Sequence, residues 1–117
     1  MKEDKNILKH KSLQFSIRVV NLYKYLIEFK KELVISRQIL KSGTSNGANC
    51  READYAVSKI DFIHKIAIAQ KECNETIYWL ELLYSTNFIS EKEYNSINND
   101  AIEIMKLLTS IIISAKK

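Results

Sequence analysis

The chain contains no proline and only two glycines, Gly43 and Gly47. Sandwiches and barrels turn every few residues and rely on Gly, Pro and Asn-Gly to do so. That punctuation is missing, which excludes them and leaves long helices. Cysteine is also scarce. Cys50 and Cys73 stand far apart, without a C-x-x-C or a Cys/His cluster, so no disulfide framework is expected and the compartment should be reducing. No apolar run reaches membrane-spanning length, and the Met1-Lys-Glu-Asp-Lys-Asn start lacks a signal-type apolar segment. A soluble cytoplasmic protein with no membrane partner is the expectation. No phosphate-cradling or dinucleotide glycine loop is present either.

What is present is charge and helical period. The 117 residues fit one domain, 1–117, large enough to bury roughly two thirds of its unfolded surface. The net charge of +4 is unevenly spread. Residues 1–53 hold 11 bases and 5 acids, whereas residues 54–117 hold 7 bases and 9 acids. A basic N-terminal half invites a polyanion. The plainer reading is lysines solvating helix faces.

Four helices follow from period and end signals. The first is expected from Ser12 to Phe29, with Ser12 as N-cap and Met1–Lys11 as a flexible basic arm. Its seam is Phe15, Val19, Leu22, Leu26, Phe29 and Leu33. The second starts near Glu32–Ile35 and runs to Ala53. Its second half, Ser42-Gly43-Thr44-Ser45-Asn46-Gly47-Ala48-Asn49, has loop propensity, since each glycine costs about 1 kcal/mol against alanine in a helix. Helix is still the better reading, because small residues let a neighbouring helix approach closely; an irregular segment in a three-helix protein is the alternative. The third runs from Ser58 to Ser85, opened by Ser58 with Asp61 and stopped by Asn87. The fourth starts at Ser90, with Glu93 completing a capping box. Four helices with short connections predict an all-α, up-down antiparallel four-helix bundle.

No chemistry-bearing constellation emerges. Asp61-x-x-His64 is a single copy, and di-metal bundles need carboxylates from several helices. Cys50 and Cys73 lack a base to lower their thiol pKa. Glu72 and Glu75 read as partners of Arg37, Lys41 or Arg51. Catalysis, cofactor and metal are therefore not expected. Tyr78 and Trp79 lie about 100° apart on the third helix. They cannot both point inward, so one of them is expected at a subunit interface.

Across residues 38–80 the chain resembles a known family. Gln38 with Ser45, Asn49 and Glu52, then Ser58, Asp61-Phe62, Ile66-Ala67, Lys71-Glu72, Glu75-Thr76 and Tyr78-Trp79-Leu80, is similar to the signature of the bacterial four helix bundle proteins, also called 23S ribosomal RNA intervening-sequence proteins. Asn46, Gly47 and Ala53 depart from its commoner pattern. The resemblance implies that the small-residue stretch is helix and that the chain assembles into a ring-like homo-oligomer, a homopentamer. It implies no enzyme. One branch, the accessory protein of diversity-generating retroelements, binds nucleic acid and a reverse transcriptase through a basic surface, so RNA or DNA and such a protein are the implied partners. Ser45, Asn49, Glu52 and Glu75 match family polar sites and are read as a structural polar network.

Two functions follow. The first is a non-enzymatic oligomeric adaptor that holds nucleic-acid backbone, without sequence preference. Its candidate contacts are Lys9, Lys11, Arg18, Lys24, Lys30, Lys31, Arg37 and Lys41, with Lys2 and Lys5 beyond them. The second is a protein-interaction scaffold with no nucleic-acid role.

Overall fold

A computed structural model describes residues 2–117 and contains four helices: α1 (Lys2–Phe29), α2 (Ile35–Ala53), α3 (Lys59–Ser85) and α4 (Glu91–Lys116). No strand occurs among the described residues. Each helix packs on its two neighbours around a closed circuit, α1–α2–α3–α4–α1, and on neither diagonal partner. The body measures 45 × 22 × 19 Å.

The sense of packing is fixed by cross-helix contacts. A Cβ on Gly43 would meet Val19, and one on Gly47 would meet Ser16. Ser42 bonds Thr76, while Glu52 pairs with Lys65. Cys73 reaches the Ala101 carbonyl, and Tyr84 stacks on Tyr94. Arg18 reaches Ser96, while Lys11 pairs with Glu103. In every pair the numbers fall on one helix as they rise on the other. The bundle is therefore up-down and antiparallel.

The core follows the 4, 3 seams. Phe15, Val19 and Leu26 of α1 meet Ile39 of α2, Ile66, Cys73, Leu80 and Leu83 of α3, and Ile97, Ile104, Leu108 and Ile111 of α4, all buried. Burial of this apolar surface is the main stabilising force.

Two expectations about α1 need correction. It begins at Lys2 instead of Ser12, so the lysine-rich segment is helical; Met1 lies outside the described residues. Ser12 is not a cap. It is buried in mid-helix and its hydroxyl donates back to the Lys9 carbonyl, a bond open to serine inside a helix. The second correction concerns Phe29 and Leu33, which are exposed by 69% and 52%. The helix ends at Phe29, Lys31 turns into the left-handed region at φ 56°, and the Glu32 N–H returns to the Leu26 carbonyl. The 3.6-residue period stops with the helix, so Leu33 beyond it no longer shares its face, and Phe29, the last helical residue, is left exposed at that end.

The α2 start is held by Glu32. Its Oε1 accepts from the Val34 and Ile35 N–H groups at 2.7 and 2.6 Å, and its Oε2 from Ser36 N–H at 3.1 Å. Helix N-termini carry unpaired N–H groups and partial positive charge, so a buried carboxylate there satisfies both. The small-residue stretch is helical throughout. At Gly43 the reason is space, because an added Cβ would sit 2.8 Å from both Val19 methyls.

The other ends match the sequence signals. Ser58 accepts from Asp61 N–H. Asn87 adopts φ 67°, with Phe88 N–H bonded to Leu83 and Asn87 N–H to Tyr84, the paired bonds of a Schellman stop. Ser90 and Glu93 form the full capping box. The Ser90 backbone N–H, donated to Glu93, holds that carboxyl below its ordinary value of 4.5. A depressed carboxyl stabilises the fold above its unfolded pKa, and that contribution is lost as pH falls through the folded one. Thermal melts on acidification from neutrality should therefore fall more steeply for the wild type than for Glu93→Gln. Parallel curves would contradict the assignment.

Candidate nucleic-acid interface

The eight cations read from the sequence separate into two groups. Three are engaged within the chain. Lys9 lies 4.0 Å from Asp54, and Lys11 pairs with Glu103 at 2.6 Å. Arg18 bonds Asp100 at 2.7 Å, with further bonds to the Ser96 carbonyl and hydroxyl. These pairs are partly exposed, and such pairs contribute roughly 0–1 kcal/mol each, so a phosphate can displace the carboxylate.

The other five, Lys24, Lys30, Lys31, Arg37 and Lys41, are exposed. Among the described residues, none of the five has a carboxylate within 4.0 Å. Because Gly43 faces Val19, the part of α1 after Val19 lies alongside the part of α2 before Gly43. All five cations therefore gather on the α1–α2 hairpin end. The acids of that stretch are Glu28, which is exposed, and Glu32, whose oxygens are occupied by backbone N–H groups. Lys30 also reaches toward other groups: its Nζ is 5.9 Å from the Tyr25 ring centroid, and its charge helps to lower the Glu93 pKa. Of the remaining arm lysines, Lys5 lies over the Phe62 ring at 4.4 Å.

The residues read as a polar network lie on α2 and α3 in separate pieces. Asn49 donates to the Ser45 carbonyl and hydroxyl, at 2.9 and 3.3 Å. Glu52 pairs with Lys65 at 3.3 Å. Glu75 accepts from the Trp79 indole N–H at 3.1 Å. No hydrogen bond joins these three among the described residues. Glu72 and Glu75 are also not ion-paired with Arg37, Lys41 or Arg51. The buried polar groups are others. The Thr76 hydroxyl bonds Ser42 at 2.8 Å across α2 and α3. Asn46 is wholly buried, with its Nδ2 unpartnered among the described residues. Thr76 falls in the 4, 3 spacing of α3, but its bond to Ser42 and the burial of Asn46 depend on neighbouring helices that spacing along one helix does not show.

Of the proposed interface pair, Tyr78 is 56% exposed, and Trp79 is half-buried against the core with the two ring centroids 4.9 Å apart. The outer face of α1 adds Leu13 and Ile17, each 46% exposed.

Among the described residues no three His, Cys, Asp or Glu side chains gather to hold a metal, and no helix is long and apolar enough to cross a membrane. Burial pushes both cysteine thiols up to about 12; a Ser12 bond to Cys50 opposes the shift there. Raised thiol values favour folding below about 9, and that contribution is lost as pH climbs toward 12. At pH 8 neither thiol should react with a thiol-specific chromogenic reagent until denaturant is added, since the thiolate is the reactive form. Rapid labelling of the native protein would contradict this burial.

Residues 4–110 match the family model described as 23S rRNA-intervening sequence protein. A solved structure from Bacteroides thetaiotaomicron, a protein with unknown function from the S23 ribosomal protein family, is 60% identical. The similarity covers 93% of this chain and 97% of that one, with a TM-score of 0.92. No match was found among curated proteins.

Proposed function

The chain belongs to the 23S rRNA-intervening sequence protein family, and from that premise we propose that it acts as a non-enzymatic, oligomeric adaptor holding RNA or DNA by its phosphate backbone. The observation that carries the reading is the set of five exposed cations with no carboxylate partner among the described residues, Lys24, Lys30, Lys31, Arg37 and Lys41, on one end of the bundle. Lysine and arginine neutralise phosphates and release counterions, which supplies affinity without sequence preference. The names 23S rRNA-intervening sequence protein and S23 ribosomal protein family carry ribosomal terms, in keeping with this reading.

Assembly into a ring-like homo-oligomer, a homopentamer, belongs to the proposal. The exposed Leu13, Ile17 and Tyr78 favour burial between copies. A closed ring repeats each cationic end around one axis and multiplies the field a polyanion meets.

The test is light scattering with the 260/280 nm absorbance ratio, on protein purified without nuclease. The expected result is a mass several times 13.6 kDa and excess absorbance at 260 nm. That excess should disappear when Lys24, Lys30, Lys31, Arg37 and Lys41 are changed to glutamate. A monomer that carries no nucleic acid and retains none at low salt would overturn the proposal. The protein-scaffold reading would then take its place.

A further inference from the structure

We propose that the nucleic acid taken by this chain is single-stranded, and that its bases lie in the groove between α1 and α4 at the Lys30 end of the bundle. This rests on the nucleic-acid reading above and adds to it the strand form and the place of the bases.

The groove has a volume of about 590 Å³ and is lined by Arg18, Asn21 and Tyr25 from α1, and by Lys92, Glu93 and Ser96 from α4. That volume falls in the range of small-ligand sites, roughly 300–1,000 Å³. The groove is a surface furrow over two packed helices, wide enough for a flat base to lie along it and too narrow for a duplex to enter. The Tyr25 ring continues to Phe29, with centroids 5.8 Å apart and planes tilted by 35°. Phe29 is 69% exposed, an apolar ring left in water and followed in the chain by Lys30 and Lys31. Stacking on such rings needs an open base face, which an unpaired strand offers and a duplex hides.

Charge sets the direction of the backbone. Glu93 stands on the α4 wall of the groove, where it repels phosphate. Lys92 on the same wall offsets that charge, whereas the α1 side continues into Lys30 and Lys31, so the phosphates lie there. Lys31 holds a left-handed backbone where glycine would be less strained, and its position keeps a cation at the tip. Asn21 and Ser96 supply polar groups to base edges, and Arg18 lies along the same groove. An acidic helix, the other polyanion a basic surface attracts, brings no flat face for the two rings and meets Glu93.

The experiment is fluorescence anisotropy at low salt on the full chain, using an RNA and a DNA strand of one unstructured sequence and the duplex of each. Single strands should bind at least about tenfold more tightly than duplexes. Phe29→Ala should weaken single-strand binding by about fivefold to a hundredfold while leaving duplex binding unchanged. Lys31→Gly keeps the turn, removes one charge and should weaken both. Circular dichroism melts check that each variant folds. Duplexes bound as tightly as single strands, or Phe29→Ala without effect while the five-glutamate variant loses binding, would overturn this inference and leave the adaptor reading standing. A Phe29→Ala change in solution mass with RNA affinity intact would assign the ring to a contact between copies and likewise overturn it. Binding of none of the four probes would sink both.

Discussion

Gly43→Ala should destabilise the fold by about 1–3 kcal/mol, the range for overpacking a well-filled core, although alanine is the better helix former by about 1 kcal/mol. The added methyl would sit 2.8 Å from both Val19 γ-carbons. Val19 is wholly buried and β-branched, so in a helix it has little rotamer freedom with which to move aside. The conflict has to be relieved by moving α1 away from α2. Val19→Ala alone also loses stability, because it leaves a cavity. The double variant should lose less than the two single losses combined, since each change removes the other's problem. Gly47→Ala is the control. Its methyl would meet the Ser16 hydroxyl at 2.5 Å, a side chain that can rotate, and the Ser12 carbonyl at 3.3 Å, which must give by only a few tenths of an ångström. Its effect should therefore be smaller, and urea unfolding of the four variants reads all of this. Equal losses at both glycines would contradict the close approach at Val19.

Glu32→Ala should cost about 2–3 kcal/mol. The substitution leaves three N–H groups at the start of α2 without their acceptor. Loss of an N-cap typically costs about 1 kcal/mol and up to about 2, and a buried charge-assisted set is worth more than a neutral one. The melting temperature should fall by roughly 5–15 °C for a chain of this size. Glu32→Gln retains one acceptor oxygen and should fall in between. Glu28→Ala, an exposed carboxylate four residues earlier, should change little. A Glu32→Ala melt that overlays the wild type would remove the cap from the account.

Legibility in the sequence depended on how local the signal was. The starts of α3 and α4 were readable because Ser58 and Ser90 bond groups only three residues on. Asn87 was readable because asparagine tolerates the left-handed region. The end of α1 at Phe29 was readable too, but the turn after it was not, because Lys31 takes the left-handed conformation without being Gly or Asn. Leu33 was then assigned to a seam that had already stopped. The cap by Glu32 was missed for a related reason, since the carboxylate acts from a turn whose course only the fold fixes. The cations were legible as a list, but their division was not. Lys11 and Arg18 find Glu103 and Asp100 from α4, partners far away in sequence. The grouping of the other five needed the α1–α2 register that Gly43 and Val19 set.

The central claim is that phosphate is held by the unpaired cations of the α1–α2 end. Its most direct test is the dependence of affinity on salt for an unstructured RNA strand. For single strands log K falls by about 0.7 per decade of salt for each phosphate neutralised. A slope steeper than about −2 is predicted, because three or more of the five cations then engage. Changing Lys24, Lys30 and Lys31 to neutral glutamine should flatten it. A slope near zero, or one that the glutamine variant leaves unchanged, would contradict the account.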